Sequence, residues 1–254
     1  MSTQLAIKEP AFFNRISQLV VNVPPDPLIL SQFKNETRKH IKPNDVDDYL
    51  ALGTLARLEK DIEAIHTNYQ QAIFASEVKH AYALVLYAKC LAPFGLFSQA
   101  ADLMHQAYNF CNNVEFFADT IHLYGLAGRF HQVGELLKTW DKVSPLEQHQ
   151  FSQLADNVIA FMDKQQVSDD DLQGLVDIAM SILRQNQLTV TPEKIEIELF
   201  YGEELWFHYG IPLYEPMKKV VDWNFELADR SVYECPSQII KGNFAPSFEA
   251  VGDE

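Results

Sequence analysis

The chain has 254 residues, 47% of them hydrophobic, and carries 20 Lys and Arg against 35 Asp and Glu, a net charge of −15. That length can bury a sizeable core and leaves room for two domains, and no run approaches the roughly 18 uninterrupted apolar residues of a membrane span. An acidic surface repels phosphate backbones, which disfavours nucleic acid as a partner and favours a basic protein.

The acidity is uneven. From Met1 to Glu147, 13 basic residues stand against 16 acidic ones, giving −3; from Gln148 onward, 7 stand against 19, giving −12. Cys90, Cys111 and Cys235 are odd in number and widely spaced, which predicts reduced thiols in place of a disulfide framework or zinc site. The first twenty residues lack a basic start, an apolar run and a small-residue cleavage site, so no secretory signal is expected and the protein reads as cytoplasmic.

Residues 9–21 read as a short amphipathic helix with Phe12, Phe13, Ile16, Leu19 and Val20 on one side, broken by Pro24, Pro25 and Pro27. A second helix is expected from Pro27 to His40, with Ile29, Leu30 and Phe33 inward. Together, residues 1–40 would brace the open N-terminal end of a stack of helical hairpins.

Residues 41–167 carry a recurring helix-turn-helix pattern. A frame opening at Ala81 puts Gly95, Phe97, Ala100 and Ala107 at positions 15, 17, 20 and 27. One opening at Val114 puts Gly128, Phe130, Val133 and Trp140 at the same positions, with Pro145 at position 32. A more degenerate frame from Val46 holds Tyr49, Leu52, Gly53, Ile62, Ile65, Tyr69 and Ala72 at positions 4, 7, 8, 17, 20, 24 and 27. A hairpin this short cannot bury its own apolar stripe, so small residues such as Gly53, Ala72, Ala100 and Ala107 let helices approach while Phe97, Phe130, Leu137 and Trp140 fill the holes. Gly95 and Gly128 supply the positive φ that ends each first helix.

A further helix is expected from Glu147 to Lys164, with Phe151, Leu154, Val158 and Phe161 at helical spacing. Residues 168–254 then read as an acidic α+β domain. Ser168 is the expected N-cap of a helix whose first turn holds Asp169, Asp170 and Asp171, residues that suit the positive end of the dipole better than a metal site because consecutive aspartates point around the helix. Leu172, Leu175, Val176, Ala179, Ile182 and Leu183 form its apolar face and Asn186 its end. Beyond Leu188 the period falls to 2: Ile195, Ile197 and Leu199 make one strand, Leu205, Phe207 and Tyr209 a second, and Val221, Trp223, Phe225 and Leu227 a third. These predict a helix packed on a three-stranded antiparallel meander, with an odd loop Tyr201 to Glu203 and an irregular tail from Tyr233.

The approximately 34-residue frames resemble the tetratricopeptide repeat. The resemblance implies an α-α superhelix whose first helices line a concave groove through positions 2, 5, 9 and 12. Those positions hold Asp47, Leu50, Thr54 and Arg57; Tyr82, Val85, Lys89 and Ala92; and Glu115, Ala118, His122 and Gly125. Arg57, Tyr82, Lys89 and His122 are the candidate partner contacts, set against the plain alternative of solvated charges on an unused face. Some members of the family clamp a carboxylate, but Leu50, Thr54, Glu115 and Asp119 replace the donors this needs.

The outer face of the sheet is the second candidate. The odd loop sets Glu196 opposite His208 and Glu198 opposite Trp206, an acidic surface with an aromatic anchor. The same pair could serve acid/base chemistry, yet no nucleophile, metal triad, phosphate loop or Gly-x-Ser-x-Gly elbow accompanies it. No metal or cofactor is expected, since none of the scattered histidines has a ligand spacing. The expected function is therefore a non-catalytic adaptor, chaperone or inhibitor that binds a protein or peptide partner. A neutralising partner for a basic toxin and a hydrolase or transferase with its site on the meander are the alternatives.

Overall fold

The computed structural model describes residues 31–32, 34–35, 45–75, 79–201, 205–235, 239 and 243–252. The helix expected over 9–21 lies outside the described residues; of the one expected over 27–40, residues 31, 32, 34 and 35 fall within them and are helical. The chain divides into two compact units, Met1–Cys90 and Leu91–Glu254.

In the first unit, α1 (Val46–Glu59) and α2 (Ile62–Ala75) pack as a hairpin, followed by α3 (His80–Leu91) up to the unit's end. Asp45 caps α1 by accepting from Asp47 N–H, and Lys60 at φ 58° turns the chain out of it. The ring of Tyr69 lies so close to Gly53 that a Cβ there would come within 2.5 Å of it. Around this contact runs a buried hydrogen-bond ladder. Thr54 Oγ1 donates to Leu50 O at 2.9 Å, which leaves Tyr69 OH to donate to Thr54 Oγ1 at 2.9 Å and Cys90 Sγ to donate to Tyr69 OH at 3.2 Å. Tyr69 also stacks on Tyr87 with centroids 5.2 Å apart.

The second unit opens with a 3-10 turn, Ala92–Phe94, closed by Gly95 at φ 71°. Then come α4 (Phe97–Cys111), α5 (Val114–Leu126), α6 (Phe130–Val143), α7 (Ser152–Gln165) and α8 (Asp169–Gln185). Three of the helices start at Val46, His80 and Val114, the second of them one residue before its frame opens at Ala81, and the helical part is built of paired antiparallel helices. The expected small residues are buried, as are Phe97, Phe130, Leu137 and Trp140. Trp140 fits its crowded position by stacking beside Phe117 and donating from Nε1 to Glu147 O at 2.7 Å. Ser168 and Asp171 form a reciprocal capping box at the start of α8.

The sheet differs from the expected meander in three ways. β1 (Glu196–Tyr201) and β2 (Leu205–Leu213) are antiparallel, but β3 is Phe244–Ala250 and lies parallel to β2, so the sheet is mixed in the order β1-β2-β3. The segment expected as the third strand, Val221 to Leu227, belongs instead to α9 (Met217–Glu234), which crosses over to deliver β3. The register also shifts by two residues: Glu198 faces His208, Phe200 faces Trp206 and Glu196 faces Gly210. The loop keeps its odd length, so the expected face assignment survives the shift.

Phe207, Tyr209, Ile211 and Leu213 fill the inner face. There Phe244 meets Phe161 and Phe207 at 5.1 and 5.5 Å, and Tyr209 OH donates to Leu126 O at 2.7 Å. Asn224 of α9 closes the far edge of β3, donating to Phe248 O and accepting from Phe248 N, each at 2.9 Å. Among the described residues there are nine α-helices, and none is long and apolar enough to cross a membrane.

Candidate protein-interaction surface

The outer sheet face results from the period of 2 and the observed register. Glu196, Glu198 and Phe200 of β1, Trp206, His208 and Gly210 of β2, and Ser247 and Glu249 of β3 share it. Glu196 and Glu198 are exposed; Phe200 is 50% and Trp206 45% exposed. These two aromatics sit directly opposite each other, with the Phe200 ring 5.5 Å from that of His208.

Glu249, which sequence reasoning passed over, completes the face. Its Oε1 lies 3.0 Å from His208 Nε2. The pair reaches diagonally across Gly210, where an added Cβ would come within 2.7 Å of Glu249 Oε1 and 2.9 Å of His208 Nε2. Glycine at that position is therefore what lets a histidine from one strand and a glutamate from the next meet. Its signal was present in the sequence: Phe244, Pro246 and Phe248 alternate with Ala245, Ser247 and Glu249. Glu196 and Glu198 are exposed along β1, whereas His208 on β2 is half-buried and held by Glu249.

The candidate groove residues are placed differently. Arg57 is half-buried and within electrostatic reach of Cys90 and Tyr69, while Tyr82 and Lys89 are exposed on α3. His122 is half-buried, stacked on Phe151 and bonded to Gln150; burial lowers its pKa, and the charge of Glu193 opposes that. Leu50, Thr54, Val85, Ala92 and Gly125, assigned by the resemblance to the groove wall, are buried.

A further polar cluster was not expected. His131 of α6 places Nδ1 2.9 Å from Asp169 Oδ1 and Nε2 3.0 Å from Asp163 Oδ1. Asp169 also accepts from the backbone N–H groups of His131 and Gln132, at 2.9 and 3.0 Å. It thereby caps α6, a helix whose own N-cap, Arg129, makes no side-chain cap bond. An open recess of about 420 Å³, lined by His131, Asp163, Gln166, Val167, Ser168 and Asp169, lies beside the cluster. Burial would lower the pKa of His131, but bonds to Asp163 and Asp169 and their negative charges outweigh it, and the pKa is raised.

No family model matches the chain, and no curated protein or solved structure matches it.

Proposed function

We propose that this chain is a non-catalytic protein-binding module that holds a basic partner on the outer face of its sheet. The observation that carries this reading is one uncovered face bearing Glu196, Glu198 and Glu249 around the half-exposed pair Phe200 and Trp206. Carboxylates steer a positively charged surface toward the face, and an aromatic pair supplies the apolar area that a long-lived contact needs. The charge of −12 concentrated beyond Gln148 strengthens the steering. The three hairpin frames that resemble tetratricopeptide repeats fit an adaptor of this kind. The burial of Leu50, Thr54, Val85, Ala92 and Gly125 favours the sheet over the first-helix groove as the binding surface.

The test compares proteins retained from native lysate by the wild type, by Glu196→Lys plus Glu198→Lys, by Trp206→Ala, and by Arg57→Glu plus Lys89→Glu. The expected result is a partner lost at high salt and with either sheet variant, yet kept by the helix variant. Retention that depends on Arg57 and Lys89 and ignores the sheet would overturn the reading in favour of the repeat surface.

A further inference from the structure

The two edges of the sheet are not equivalent. On β2, Phe207 N donates to Asn243 O and Leu213 O accepts from Val251 N, so the odd-numbered residues direct their backbone groups toward β3. Trp206, His208 and Gly210 therefore bond to β1, which makes Phe200, Glu198 and Glu196 their hydrogen-bonded partners. By the same alternation, the backbone N–H and C=O groups of Ile197, Leu199 and Tyr201 point away from the sheet. On β3 three of the corresponding outward groups are occupied or missing. Phe248 is held by Asn224, and Pro246 has no N–H to offer. Among the described residues no element pairs with the outer side of β1.

The side chains of β1 point the same way. Ile197 and Leu199 face inward but remain only half-buried, whereas Phe207, Tyr209, Ile211 and Leu213 on β2 are buried. One more strand beside β1 would cover them. A second copy of the chain is a poor candidate, because pairing β1 with β1 lines four glutamate carboxylates along one face of the new seam. The same glutamates suit a strand with Lys or Arg at the facing positions. Opposite Glu196 and Glu198 the new pairs would be the non-hydrogen-bonded kind, with side chains at their closest, about 4.5 Å between Cα atoms.

We infer that β1 is a docking edge for an extended peptide segment in which basic and apolar residues alternate, bound as a fourth strand. Its basic residues pair with Glu196 and Glu198 on the outer face, and its apolar residues cover Ile197 and Leu199 on the inner one. This rests on the reading of the sheet as the partner-binding surface and specifies how the partner engages it.

The probe is a fluorescein-labelled peptide of about eight residues alternating Lys and Val, long enough for one strand. Three comparison peptides accompany it: one with backbone N-methyl groups at the amides that would face β1, one of the same composition with the lysines in a block, and one with Glu in place of Lys. The expected result is saturable binding of the alternating peptide, weakened at least about tenfold by N-methylation or blocking and absent with Glu. Addition of the peptide should slow hydrogen exchange at the amides of Ile197 and Leu199, and Glu196→Lys plus Glu198→Lys should transfer the preference to the Glu peptide. Equal binding of the N-methylated and parent peptides would overturn strand addition while leaving the acidic-face reading intact. Absence of binding by the alternating peptide also overturns strand addition, and the lysate comparison decides the broader reading separately.

Discussion

At the scale of single residues, the turn glycines have the least freedom to change. Gly95 sits at φ 71°, and a Cβ there would meet Met180 side-chain atoms at 2.3 to 2.6 Å. The turn and the packing of α8 against it therefore make the same demand. Gly95→Ala is expected to cost about 2 kcal/mol or more, the sum of a left-handed backbone and an overpacked contact, as a lowered urea midpoint would show. The recurrence of Gly-x-Phe in the sequence exposed this position, since Gly128 repeats the geometry at φ 79° against Leu172. Glu249 was harder to see. It lies in the tail from Tyr233 that reads as irregular, although Pro246, whose missing N–H faces a sheet edge, interrupts no ladder bond.

At the scale of elements, α9 shows how a period can mislead. Val221, Trp223, Phe225 and Leu227 alternate like a strand, yet they come from two faces of a helix. Val220, Leu227 and Ser231 turn inward, whereas Met217, Val221 and Phe225 lie exposed on a neighbouring flank. Superposed, the two stripes imitate a repeat of 2 over a short window, and only the longer run to Glu234 separates them. The same helix guards the sheet through Asn224. Asn224→Ala removes both bonds to Phe248 and is expected to cost about 1–3 kcal/mol. Faster hydrogen exchange at the Phe248 amide, together with a lower urea midpoint, would check it; an unchanged amide would mean that the edge is closed by something else.

At the scale of the molecule, His131 ties three helices of the second unit together, α6 through its own position and α7 and α8 through Asp163 and Asp169. Its raised pKa sets the sign of a pH effect. The protonated ring is favoured in the folded state, so its contribution is complete below the unfolded value of about 6.5 and disappears as pH rises through the raised folded value. His122 and His149, whose pKa values burial lowers, act in the opposite direction. Comparison with His131→Gln cancels them. The melting temperature of the wild type should exceed that of the variant most at about pH 5.5, with the gap narrowing toward about pH 8.5. A gap independent of pH would mean that the ring acts by packing alone.

The helical hairpins, their turns, the Ser168 N-cap and the outward row of Glu196, Glu198, Trp206 and His208 were legible in the amino-acid order because each depends on neighbours a few residues apart. Helix phase, left-handed turn residues and the alternation of β1 and β2 are local signals, unlike the short alternation in α9, which the longer helix overrode. Three things were decided only in the folded molecule: the parallel course of β3, the meeting of His208 with Glu249 across Gly210, and the bridge from His131 to Asp163 and Asp169. Each joins segments more than thirty residues apart. Their partners are chosen by packing against a common core, and no spacing along the chain records that choice.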